Sequence, residues 1–457
     1  MHRNRTWLVN STETVLRTQR NRILPVEGGD GSTLTLDLTT GALDPRLTFT
    51  RASTVATYIN SSGLIATATT NEPRFDHDPT TLAPRGLLIE GAATNLMTYS
   101  EDFSNAAWQK SSTNGSMTLT GTAPDGTATS RLLEENTTAY AKHSLERTSA
   151  ITISGNNVYT LSVWLKEPTS NSRRYAHVQL ADGQAIAARY TIVADLQTGT
   201  ITASGANNGT AGAPTGTAHS ITAYPGGWYR VTISMNHVGS PSYPAIMLGD
   251  TATLFGGNNQ PFYSATTPYK GLIVWGAQLE AGSGASSYIP TGASTVIRNE
   301  DSVTMSSVAS LGFDQYQGTF IVRGVQNKQG ASFARLLRIA GATTEPFGMP
   351  VNGVTLFGTS RNSSGATIAE TTRTNTLGQS FAFGMSLDAN DAAAAMKVSL
   401  NGSGTSASRT NLGPTEAAAT FSFNTNATAT NYGCFAVRSV KFFPVPKTLA
   451  ELNALTT

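Results

Sequence analysis

The chain has 457 residues, 13% of them charged, and a formal net charge of +2. That length is too great for one compact core and predicts roughly two or three domains. A charged share well below the roughly one quarter typical of globular proteins excludes the disordered signature of high net charge. The near-neutral balance gives the chain no electrostatic reason to bind nucleic acid or an anionic membrane.

The first 22 positions hold His2, Arg3, Arg5, Arg17, Arg20 and Arg22 against one acid, Glu13. Scattered apolar residues, among them Trp7, Leu8, Ile23 and Leu24, are too few to bury a core of their own, and GGDGS at Gly28–Ser32 ends the segment as a joint. Residues 1–33 therefore read as an anchoring arm, either solvated or docked on an acidic protein surface through Arg3, Arg5, Trp7, Leu8, Arg17, Arg20 and Arg22. The start lacks the roughly 7–15-residue apolar stretch of a signal peptide. No window approaches the roughly 18 apolar residues of a membrane span. Synthesis in the cytosol without a membrane anchor is the expectation.

From Leu34 apolar and polar residues alternate, in LTLDL, LTFTRAS and TYINSSGLI, with a turn predicted at Asn60–Gly63. Pro73, Pro79 and Pro84 make NEPRFDHDPTTLAP an irregular ordered connection anchored by Phe75, before GLLIE re-enters a strand. Residues 34–95 form this second segment. Residues 96–297 carry longer alternating runs. In YTLSVWLK, Tyr159, Leu161, Val163 and Leu165 fall on one face, and Thr160, Ser162, Trp164 and Lys166 on the other. DLQTGTI predicts a hairpin turning at Thr198–Gly199. VIRNEDSVTMSS, beginning at Val296, reads as a polar connector, and a fresh series of strands fills 298–457. That series ends in PKTLAELNALTT, where Leu449, Leu452 and Leu455 recur at helical spacing. The fold class expected is all-β: two antiparallel β-sandwich (jelly-roll) domains in series after an extended arm, with a short C-terminal helix. No repeat of about 20–50 residues marks a solenoid or propeller.

Chemistry is sparse. The acids Glu101, Asp102, Glu134, Glu135, Glu300, Asp301, Asp76 and Asp78 read as solvent-exposed turn residues, not as a glycosidase pair facing a sugar. The six histidines are dispersed without ligand spacing. FDHDP at Phe75–Pro79 and DAND at Asp388–Asp391 are oxygen-rich loops whose spacing does not establish a cation site. No nucleophile elbow, phosphate loop or dinucleotide fingerprint occurs. No catalytic residue, metal or cofactor is assigned. The lone Cys434, in an alternating apolar run, reads as a small core residue. Trp164, Tyr175, Trp228 and Tyr229 are the candidate glycan-binding residues, since aromatic faces stack on sugar rings; core or subunit-interface packing is the competing role for each, and Trp275 leans towards the core.

Two stretches carry a resemblance: LTFTRASTVATYINSSGLIATATTNEPRFDHDPTTLAPRGLLIEGAATNLMTYSEDFSNAAW at Leu47–Trp108, and GLIVWGAQLEAGSGASSYIPTGASTVIR at Gly271–Arg298. Their wording resembles the bacteriophage head spike/fibre domain family, over about Leu34 to Arg298. The region 96–297 looks like a carbohydrate-binding module. The strand order of 298–457, with VSLNG as a hairpin and a closing FFPVPKTLAEL, resembles the concanavalin-A-like (laminin-G-like) jelly roll. These resemblances imply a non-enzymatic phage virion structural protein on the particle exterior. It would be a head fibre or decoration protein, commonly a homotrimer, docked by its arm on the major capsid protein or another virion protein. Host cell-surface polysaccharide is the implied outer partner, and a receptor-binding tail fibre or tailspike is the alternative.

Overall fold

A computed structural model describes residues 16–17, 23–24 and 29–457, apart from 116, 155–156, 184–187, 208–212, 238–240, 255–258, 269, 306–307, 329, 342–346, 411–419 and 424–432. Strands dominate, every strand-to-strand ladder is antiparallel, and the described α-helix is Leu449–Thr456. Arg3, Arg5, Trp7, Leu8, Arg20 and Arg22 of the predicted docking arm lie outside the described residues. Arg17 belongs to a two-residue strand paired with Ile23–Leu24.

Two sandwiches are present, and one is inserted in the other. The outer sandwich has a seven-stranded sheet, running from Thr367–Thr374 at one edge through Gly330–Ala340 to Ser302–Met305 and Thr48–Thr50 at the other. Its eight-stranded partner runs from Ser403–Ala407 through Gln317–Lys328 and Cys434–Phe443 to Pro84–Glu90 and Arg74–His77, with Leu34–Asp37 also paired to Cys434–Phe443. Residues 34–95 thus share both sheets with 298–457: Leu34 is opposite Phe442, Glu90 opposite Cys434, and Phe49 opposite Val303. The in-series order expected from the sequence becomes a nested one. Two strands that are adjacent in space need not be adjacent along the chain, and alternation alone carries no record of its partner.

The inserted sandwich packs a six-stranded sheet, Trp108–Ser111 to Thr200–Asn207, on a five-stranded one ordered Arg131–Glu134, Gly271–Ala281, Asn157–Lys166, Trp228–His237 and Ala218–Tyr224. The chain leaves and re-enters the outer sandwich through a two-stranded neck, in which Ala93–Asn95 pairs with Val296–Arg298. The face assignment of YTLSVWLK holds. Tyr159, Leu161, Val163 and Leu165 join the inserted core with Val231, Ile233, Val274 and Leu279, while Trp164 faces the other way. Burying each large aliphatic side chain stabilises the fold by about 1.5–3 kcal/mol.

Two local expectations change. RFDH is a strand, Arg74–His77, at the edge of the eight-stranded sheet. Its prolines flank it at Pro73 and Pro79, and Pro84 opens the next strand, so none removes an interior ladder donor. VIRNEDSVTMSS is no polar connector either: Val296–Arg298 and Ser302–Met305 are strands, and Arg298 and Asp301 are fully buried. The hairpins at Asn60–Gly63, Thr198–Gly199 and Asn401–Gly402 form as read. The helix begins one turn into PKTLAEL because Thr448 caps it: its hydroxyl accepts from Glu451 N–H, and the Glu451 carboxylate accepts from Thr448 N–H at 2.8 Å.

Candidate functional site at the sandwich junction

The outer face of the five-stranded sheet is polar and aromatic because its inner face takes the aliphatic residues. Register places Trp164 opposite Arg230, Ser162 opposite Thr232 and Thr160 opposite Ser234. On the next strand Trp275 is opposite Trp164, after a bulge that shifts the register between Ser162 and Trp164. Gly276 makes the close approach feasible: its φ is +64°, and a Cβ there would stand 2.9 Å from Trp164 Cε3. The Trp164 ring then meets Trp275, Tyr288 and Tyr224 edge to face, at centroid distances of 5.4, 5.3 and 5.7 Å. Together with Trp228, Ile59, Ile65 and Ile273 they form a separate apolar cluster between the two sandwiches.

Beside this cluster opens a cleft of about 600 Å³. The inserted sandwich contributes Trp164, Tyr224, Arg230, Ser234 and the segment Ser283–Tyr288. The outer sandwich and its Ala56–Ile59/Ile65–Ala68 hairpin contribute Tyr58, Asp76, Arg85, Glu90 and Cys434. Arg230 lies over the Trp164 ring at 4.4 Å and donates through Nη2 to Ser162 Oγ and the Ser286 carbonyl, both at 2.9 Å. The Trp228 and Trp275 indole N–H groups reach Thr122 O (3.1 Å) and Thr129 Oγ1 (2.9 Å). The buried Trp164 Nε1–H has no acceptor among the described residues.

The two cleft carboxylates differ in state. Burial pushes Asp76 up to about 6, although its Oδ1 accepts from Ile59 N–H at 2.8 Å. For Glu90 burial acts the same way, but the charges of Arg298 and Arg74 and the Ser287 hydrogen bonds outweigh it and hold the carboxyl well below its usual range. Glu90 accepts from Arg74 Nη1 (2.7 Å), Ser287 Oγ (2.6 Å), Ser287 N–H (2.9 Å) and the Cys434 thiol (3.1 Å). Behind it Asp301 accepts from Arg51 (3.1 Å), from Arg74 and from Glu90 N–H (2.9 Å). The Cys434 thiol is pushed up by burial and by Glu90. Arg51, Arg74, Glu90, Arg298 and Asp301 are all essentially inaccessible, so this ionic network locks the neck.

Several acids read as exposed turn residues are therefore buried. Besides Asp76 and Asp301, Glu135 is fully buried and accepts from Arg173 Nε (2.8 Å), Tyr263 hydroxyl (2.9 Å) and Lys270 N–H (3.1 Å). Each carboxylate meets cations or N–H donors from distant segments, which is what permits burial. Of the four candidate glycan residues, the structure gathers Trp164 and Trp228, the latter beside a smaller pocket of about 230 Å³. Tyr175 lies on the other sheet with Arg174 over its ring at 5.2 Å, and Tyr229 packs against the inserted core. Trp275 is fully buried. Arg230, Tyr224, Arg85 and Tyr288 did not stand out in the sequence. The available signal was the polar face Thr160–Ser162–Trp164, which needed a partner strand to become a site.

The FDHDP acids point to separate partners: Asp76 to Ile59, and Asp78 to Thr80 N–H, Thr81 N–H and Arg85. Among the described residues no group of three or more His, Cys, Asp or Glu side chains is placed to hold a metal ion.

The described residues define an all-β protein with a cleft at the junction of its two sandwiches. No family model matches the chain, and no curated protein matches it. Among solved structures it is similar to the binding domain of Paraclostridial Mosquitocidal Protein 1, at 11% identity and a TM-score of 0.29, over 35% of this chain and 43% of that one. The botulinum neurotoxin serotype G binding domain gives 8% and 0.28, over 38% and 41%. A structure of botulinum neurotoxin type C, described by its interaction with two ganglioside molecules, gives 11% and 0.26, over 34% and 40%. The chain thus spans less than half the length of these solved proteins. Likenesses this remote leave its function to be argued from its own residues.

Proposed function

We propose that the chain is a non-enzymatic adhesion protein on the exterior of a bacteriophage particle, and that it binds a saccharide in the junctional cleft. The cleft carries this reading: it is lined by Tyr224, with Trp164 and Tyr288 packed behind, and by polar groups of Arg230, Asp76 and Ser283–Ser287. Sugars present an apolar ring face and a rim of hydroxyls, which such a surface matches. Binding is favoured over hydrolysis because Glu90 is saturated by Arg74, Ser287 and Cys434. A glycosidase needs two carboxylates free to reach the scissile bond.

The particle role rests on the wording of Leu47–Trp108 and Gly271–Arg298 and on the basic start of the chain. In this reading the protein is a capsid-attached head fibre or decoration protein, a homotrimer docked through residues 1–33. Exposed edge strands such as Thr200–Asn207 are consistent with association between copies. The alternative is a receptor-binding tail fibre.

The test is titration of the full chain with host-surface polysaccharides, with reducing ends assayed in parallel. Saturable binding without cleavage, weakened by Arg230→Gln, supports the reading. Released reducing ends would replace it with a glycosidase, and no saccharide binding at all would sink it. Immunogold labelling of residues 301–457 on intact virions separates head from tail attachment.

A further inference from the structure

We infer that the ligand of this cleft is an acidic saccharide whose carboxylate sits on Arg230; this rests on the saccharide reading above. The cations around the junction mostly have described carboxylates: Arg85 meets Asp78 at 2.8 Å, Lys328 meets Glu280 at 2.9 Å, and Arg74 spans Glu90 and Asp301. Arg230 does not. Its described partners are uncharged: Ser162 Oγ, the Ser286 carbonyl and the Tyr224 hydroxyl, with Nε buried and unbonded. Arg230 is half-buried, with its guanidinium over an indole and on the cleft wall. A planar cation held this way and lacking a counter-ion is a receptor for a carboxylate, because its fork geometry fits two oxygens at once.

A second observation is independent of charge. Trp164 is 1% exposed and lines the cleft, yet its indole N–H has no acceptor among the described residues, whereas Trp228 and Trp275 both have one. A buried donor without an acceptor is costly, and a ligand oxygen that reached it would relieve that cost. Asp76 also lines the cleft, so a singly charged sugar acid meets less repulsion there than a phosphate dianion. The Ser283 hydroxyl, also on the cleft wall, suits a remaining sugar hydroxyl.

The experiment titrates the full chain with oligogalacturonides and with the same oligosaccharides reduced at their carboxyls to neutral galactose units. A charge-assisted contact in place of a neutral one predicts about tenfold tighter binding of the acidic form. The preference should shrink as salt rises, disappear in Arg230→Gln and partly return in Arg230→Lys. Equal or tighter binding of the neutral form overturns the inference and leaves the saccharide reading standing. A salt-independent acidic preference in the parent, or one unchanged in a folded Arg230→Gln protein, also overturns it. If neither form nor any other saccharide binds, both readings fall.

Discussion

The outer sandwich sets a cluster of phenylalanine rings among the aliphatic residues of its core, with Phe320 4.5 Å from Phe442 and 5.1 Å from Phe347, and Phe421 edge-on to Phe423 at 5.0 Å. The inserted sandwich packs Leu, Val and Ile, but buries His143, His177, His237, Gln179, Gln278, Glu135, Glu280 and Asp195 around that core. Among the described residues, the buried charges of the outer sandwich are Arg51, Arg74, Asp76, Glu90, Arg298 and Asp301, all at the neck or the cleft. A core of close-packed rings needs no partner geometry beyond shape, whereas each buried polar group must find a donor or acceptor. The outer sandwich therefore serves as frame. The inserted one holds the directional chemistry, on a sheet face turned towards the frame.

The largest expected effect breaks the link between them. Asp301→Ala leaves Arg51 and Arg74 short of a counter-ion inside the neck and should cost about 3–5 kcal/mol. Every described tryptophan belongs to the inserted sandwich, so tryptophan fluorescence and far-ultraviolet dichroism in urea can be compared. Both midpoints should fall together; a shift in fluorescence alone would show that the neck does not couple the sandwiches.

Acid should separate the two regions next. Asp76, raised to about 6, gives stability that is full below pH 3.8 and is lost as pH rises through 6. His177, lowered by burial to about 4, acts oppositely: its unfolded form gains a proton below pH 6.5 that the folded form refuses until pH 4. Each is worth up to about 3 kcal/mol. Asp76→Asn should thus exceed the parent in stability at pH 7 and lose that advantage at pH 4.5. His177→Gln should match the parent at pH 7 and exceed it at pH 4.5. Denaturant midpoints at the two pH values check both, and parallel behaviour of the variants would refute the assignment.

Smaller changes should stay within one sandwich. Gly276→Val places a branched side chain at φ +64° against Trp164 and should cost at least about 1–3 kcal/mol, read as an altered tryptophan emission. Thr448→Ala removes the helix cap on the outer sandwich and should cost about 1 kcal/mol in thermal unfolding, with that emission unchanged.

Local features were legible in the sequence because their cause is local. The two faces of Asn157–Lys166, the Asn60–Gly63 turn and the C-terminal helix follow from neighbours a few residues apart. The T-x-x-E capping pair at Thr448 and Glu451 would even have fixed the helix start. What stayed hidden depends on long-range pairing. Nothing near Leu34 announces Phe442 as its partner, and nothing in VIRNED reveals that Arg298 and Asp301 will be buried with Arg74 and Glu90. Half of the site was visible as Trp164 and Trp228. Arg230 became meaningful only once register set it against Trp164.

The neck has a consequence for exchange of parts. Because Asn95 and Val296 are strand partners, everything between them enters and leaves the frame at one place. A module with adjacent ends can be removed or replaced by another whose ends are equally close, without threading a new path through the host core. Such a chain can trade one cassette for another while the frame beneath keeps its sequence.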